Sequence, residues 1–161
     1  LWIGTLLMNW IGGALFMGLA MAAAPDLHRE AIDVGRHYPE LGHGWEAMAS
    51  ALLGGAVITL MTWVQQATRE TGARLVASSI AAFLLAGVPL NHSVVGVLEM
   101  LAGIFTNHAP YGIADVGDAA GYAVVGNTIG GVVLVTMLRL VQVGADAIEQ
   151  ERNGEISGRS T

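Results

Sequence analysis

Residues 74–105, RLVASSIAAFLLAGVPLNHSVVGVLEMLAGIF, decide the fold. The run is apolar almost throughout and longer than the roughly 20 residues a helix needs to cross the hydrocarbon of a bilayer. It is interrupted at Gly87-Val88-Pro89-Leu90-Asn91-His92. Proline has no backbone donor and biases its predecessor away from helix, so the spacing predicts two half-helices joined by an irregular link. Backbone groups freed inside a bilayer are tolerated only where protein or a water-filled path satisfies them. The break therefore marks a path or a buried seam, and Asn91, His92 and Ser93 stand at it.

Three further blocks flank this one. Residues 1–24 (LWIGTLLMNWIGGALFMGLAMAAA) form one span, closed by Pro25 and Asp26; 45–66 form a second, and 118–142 the last. The 20-residue stretch 25–44 is expected as a polar connection and 143–161 as a solvated, flexible tail. Residue 1 opens directly into apolar helix without a basic leader or cleavage motif, so the chain reads as starting inside a longer protein.

Composition agrees. Apolar residues make up 53% of the 161, charged residues 12%, and mean hydropathy is +0.57, too few charges to cover a water-soluble globule. The 22 glycines suit helices that approach closely in lipid. Cysteine is absent, which excludes disulfides, thiolate nucleophiles and cysteine metal sites. With net charge −6, no lysine and seven arginines, there is no basic patch for nucleic acid. Arg69, Arg74, Arg139, Arg152 and Arg159 fall on one side of the predicted membrane and Arg29 and Arg36 on the other. The excess of positive charge on the inner side of membrane proteins then puts the C-terminus in the cytoplasm.

An internal repeat links the first and last blocks. Asn9-Trp10-Ile11-Gly12-Gly13 matches Asn127-Thr128-Ile129-Gly130-Gly131, on helices expected to run in opposite directions. Inverted repeats produce such pairs, with substrate sites near the midplane where broken helices meet; chance recurrence of a glycine packing pattern is the alternative.

The second half-helix points its N-terminus at the break, and that end favours an anion. His92 is the one histidine within a predicted span. It either exchanges a proton near neutral pH with a passing weak acid or merely bonds a carbonyl freed by the break. Glu99, seven residues on and nearly on the same helical face, is either part of the path or a buried packing carboxyl. Two such ligands do not complete a metal site, and none is expected. An intramembrane hydrolase would need a paired nucleophile, for which only Ser93 offers itself.

The run Pro89-Leu90-Asn91-His92-Ser93-Val94-Val95, followed by Val125-Gly126-Asn127-Thr128-Ile129-Gly130-Gly131, resembles the fifth and sixth helices of formate/nitrite transporters. Trp45-Glu46-Ala47 and the helix ending at Trp63 resemble the fourth, and Asn9 to Leu15 the third. The resemblance covers residues 1–142 and implies an all-α integral membrane domain: an aquaporin-like bundle with inverted repeats, here helices three to six with a broken fifth, assembled as a homopentamer in the inner (plasma) membrane. It also implies a pore through each protomer, with the histidine between two hydrophobic constrictions and Leu85 at the outer one. Members have glutamate where Asn91 stands, asparagine near the position of Gly55, and a vestibule lysine that this sequence lacks.

The expected pathway residues are thus His92, Asn91, Ser93, Leu85 and Glu99. The expected function is passage of a small monovalent anion or its neutral weak acid, without cofactor, metal or enzymatic turnover. A non-conducting membrane scaffold that keeps the fold is the alternative.

Overall fold

The computed structural model describes residues 1–88 and 90–158, the side chains of 86 and 145–158 excepted. Pro89 and Arg159, and the side chain of Arg152, lie outside the described residues. Among the described residues six α-helices follow one another: α1 (Trp2–Ala23), α2 (His28–Leu41) after a 3₁₀ turn at Pro25–Leu27, α3 (Trp45–Ala67), α4 (Thr71–Gly87), α5 (Val95–Phe105) and α6 (Ile113–Gly158). By length and composition α1, α3 and residues 113–144 of α6 are each able to cross a membrane, whereas α4 and α5 are shorter apolar helices. The block 74–105 is divided between α4 and α5.

Small residues bring α3 and α6 into contact. Ala47, Ala51, Gly54 and Gly55 are buried on α3, and they meet Gly126, Asn127 and Gly130 of α6. A Cβ at Gly130 would overlap the backbone of Leu52, and one at Gly55 would overlap the backbone of Asn127. Only glycine lets the two backbones lie this close. Outward, large apolar side chains such as Phe16, Leu19, Phe83, Val132 and Leu140 stand exposed on three helices. That distribution fits a lipid or helical surrounding, not water.

Two segments differ from the sequence expectation. The polar connection 25–44 is mostly helix: α2 lays one face on α5, burying Gly35 and Tyr38, and turns Asp33, Arg36 and Glu40 outward. These exposed ion pairs are spaced three and four residues apart and add little stability. The last helix starts at Ile113, earlier than 118, and continues past residue 142 to Gly158, where a flexible tail was expected.

The arginines separate into two ends. Arg139 lies 5.3 Å from the ring centre of Trp63, and Gln65 donates to Ser78 Oγ at 2.6 Å, which gathers the end of α3 and the start of α4 beside Arg139. At the opposite end the Tyr122 hydroxyl donates to the His43 carbonyl at 2.9 Å, tying α6 to the link between α2 and α3. Arg29 and Arg36 belong to that second end through α2.

Candidate functional site

The interruption between α4 and α5 is fully bonded at its core. Asn91 N–H donates to Ser50 Oγ at 2.8 Å, and the Asn91 carbonyl accepts from Asn127 Nδ2 at 2.9 Å. Ser93 N–H donates to Asn127 Oδ1 at 2.9 Å, while the Ser93 carbonyl accepts from Trp10 Nε1 at 2.8 Å. Tight local turns supply the rest, with Leu90 N–H on the Val88 carbonyl and His92 N–H on that of Leu90. Side chains from α1, α3 and α6 thereby replace the hydrogen bonds that a continuous helix would make, as irregular backbone at membrane depth requires.

His92 lies three residues before α5. Its carbonyl accepts from Gly96 N–H at 2.9 Å, and its ring Nδ1 accepts from the N–H groups of both Val94 and Val95 at 3.3 Å. The imidazole therefore occupies the N-terminus of α5 that the sequence reading left open for an anion. A neutral ring with Nδ1 as acceptor carries its proton on Nε2, which remains as the donor.

His92 and Ser93 line a cavity of about 400 Å³. Trp2, Ile3 and Leu6 of α1 form one wall, Gly55, Ile58 and Thr59 of α3 another, and Val124, Asn127 and Thr128 of α6 a third. The surface is largely apolar with a few polar groups converging at the break, which is the usual make-up of a small-ligand site.

The expected pathway residues are not all gathered there. Asn91 is buried beside the cavity, its backbone held on both sides. Leu85 is buried in α4 and is not part of the cavity lining. Glu99 faces away, toward α2, where its carboxyl accepts a hydrogen bond from the Tyr38 hydroxyl. His92 precedes α5, so the shared helical face expected for His92 and Glu99 does not arise. Burial, reinforced by the neighbouring Glu99 carboxyl, pushes the Tyr38 phenol well above its usual range, so it stays a donor. A second α2-side tyrosine, Tyr111, donates to the Met100 carbonyl at 3.2 Å, and burial pushes its phenol up to about 12.

Asn127, Ser50 and Trp10 are the residues that sequence reasoning did not select. Asn127 stands in the repeated Asn-x-x-Gly-Gly pattern, which points to an inverted repeat and not to a bonding role for the amide. Gly55, where relatives were expected to carry asparagine, has no room for a side chain; the carboxamide near the break comes from Asn127 across the interface. No metal-binding group of three or more His, Cys, Asp or Glu side chains is present among the described residues.

The family model described as Formate/nitrite transporter matches residues 1–141, nearly the whole chain up to the end of the apolar part of α6. The chain belongs to the formate/nitrite transporter family. This family consists of membrane transport proteins, not enzymes, and three helices of this member are long and apolar enough to cross a membrane. Neither the curated proteins nor the solved structures compared contain a match.

Proposed function

We propose that this family member carries a small monovalent anion of the formate or nitrite class, or its neutral acid, past His92. The observation that carries the reading is the cavity in which His92 and Ser93 meet a largely apolar lining. An apolar passage excludes hydrated ions, and a single titratable donor within it supplies or takes up the proton that lets a weak acid cross uncharged. Asn91 and Ser93 shape the break and Leu85 narrows the outer approach, while Glu99 stands behind α5, turned from the cavity toward Tyr38.

The protomer takes an aquaporin-like, inverted-repeat arrangement within a pentamer in the inner (plasma) membrane, its C-terminus and residues 143–161 on the cytoplasmic side. The Asn-x-x-Gly-Gly pattern carried by both α1 and α6 supports the repeat. The separation of Arg69, Arg74 and Arg139 from Arg29 and Arg36 supports the orientation.

Thr128 tests the path because it is exposed at the cavity wall and outside the network that braces the break. In full-length protein reconstituted in liposomes, Thr128→Trp should slow lactate uptake more than formate uptake while leaving assembly intact. Equal uptake by variant and wild type would move the path elsewhere. Absence of wild-type uptake for formate, nitrite, lactate and chloride alike would favour the non-conducting scaffold.

A further inference from the structure

Glu99 is a carboxyl inside an apolar half-helix, and the cavity does not use it. Its partner is Tyr38 of α2, which is 3% exposed and donates its hydroxyl to the carboxyl. The same tyrosine ring lies on Gly96, one turn nearer the break. A Cβ placed on Gly96 would sit 3.0 Å from the ring edge. Tyr38 therefore touches α5 at two levels, through its ring at the first turn and through its hydroxyl at the second.

That first turn is where His92 is held, since Val94 and Val95 donate the two N–H groups that meet its Nδ1. α5 has 11 residues, about the length below which an isolated helix is marginal, so its rotation must be set from outside. We infer that Tyr38 and Glu99 are positioning residues for His92, the hydroxyl–carboxyl bond fixing the rotation of α5 and with it the N–H pair that selects the Nε2–H imidazole. Glu99 then acts through Tyr38 and α5, not by meeting the substrate. The effect on transport rests on the proposed path past His92, whereas the effect on the ring can be read without any transport.

The test uses full-length protein in bilayers with ¹⁵N-labelled histidine, comparing wild type with Tyr38→Phe, Glu99→Leu and Glu99→Gln. Phenylalanine keeps the ring on Gly96 and removes only the hydroxyl; glutamine keeps an oxygen that accepts from Tyr38. Tyr38→Phe and Glu99→Leu should each move the His92 ring nitrogen signals away from the Nε2–H pattern and slow formate uptake about fivefold, the loss expected for one hydrogen bond. Combining them should add nothing further. Glu99→Gln should keep both the ring signals and the pH midpoint of uptake. Wild-type ring signals in Tyr38→Phe would overturn the inference, as would a shifted pH midpoint in Glu99→Gln, which would put the carboxyl proton on the path. If wild-type protein transports nothing, the proposed function fails and the ring signals alone decide the positioning role.

Discussion

The Asn127 carboxamide closes the gap in the neighbouring helix by bonding both sides of it, donating to the Asn91 carbonyl and accepting from the Ser93 N–H, each at 2.9 Å. Its Nδ2 also donates to the Ala51 carbonyl at 2.8 Å, so one side chain joins α3, the break and α6. The break is thus a built element whose cost is met by a neutral side chain.

Removing that side chain should be expensive. Asn127→Leu strands a carbonyl and an N–H at the break, each costing about 1–3 kcal/mol when buried and unpaired. Asn127→Asp keeps the acceptor for Ser93 and loses the donors. Thermal unfolding of the detergent-solubilised full-length protein should rank wild type first, and either substitution matching wild type would remove Asn127 from the bracing role.

Close packing predicts an asymmetry between two glycines of the repeated pattern. A Cβ at Gly130 would overlap the Leu52 backbone, whereas one at Gly12 would meet nothing within 4 Å. Gly130→Ala should therefore cost about 1–3 kcal/mol through overpacking, and Gly12→Ala should stay within about 0.5 kcal/mol of wild type. Comparing melting midpoints and the yield of folded protein checks both at once. A Gly12→Ala loss as large as that of Gly130→Ala would mean that α1 has a close neighbour beyond those seen here.

How much of this was legible in the sequence depended on which physical signal each residue left. The spans and the interruption were readable because hydropathy sustained over residues 74–105 is longer than one crossing and broken by Pro89. α2 is hidden because its average polarity masks one apolar face, traced by Ala31, Gly35, Tyr38 and Leu41 at spacings of three and four. The bonding role of Asn127 is not legible in the sequence, because a neutral amide in a span lacks the burial cost that singles out an ionisable group. The orientation of Glu99 toward Tyr38 depends on α2, so it had to be missed with it.

Tyr111 predicts a pH dependence at the alkaline end. Its phenol is raised by burial from 10.0 to about 12, so the folded state resists ionisation that the unfolded chain undergoes. Its contribution is fully present below the unfolded pKa and declines as pH rises from there to the folded value. Stability should therefore fall between about pH 10 and pH 12. Tyr111→Phe should lessen that decline, while lowering stability at neutral pH by about 0.5–1.5 kcal/mol for the lost bond to Met100. Unfolding midpoints followed by tryptophan fluorescence at a series of pH values would show it. A variant that declines as steeply as wild type would exclude Tyr111 as a source.

On the proposed path His92 has two separable tasks: Nδ1 caps α5, and Nε2–H meets the substrate. Asparagine is among the best residues for satisfying helix N-terminal N–H groups, and it does not titrate near neutral pH. His92→Asn should therefore keep stability close to wild type, whereas His92→Ala should lose about 1 kcal/mol with the cap. Both should alter which protonation state of the substrate crosses, since both remove the imidazole proton. Stopped-flow uptake of formate, nitrite, lactate and chloride over about pH 5 to 8, the range in which histidine changes charge, reads the second task. Thermal unfolding reads the first. A His92→Asn protein with the wild-type pH profile for every anion would leave His92 as a cap alone, and the proton would have to come from elsewhere. A His92→Asn protein that assembles normally but takes up anions with an altered or flattened profile would assign proton exchange to Nε2, independently of the cap that Nδ1 provides.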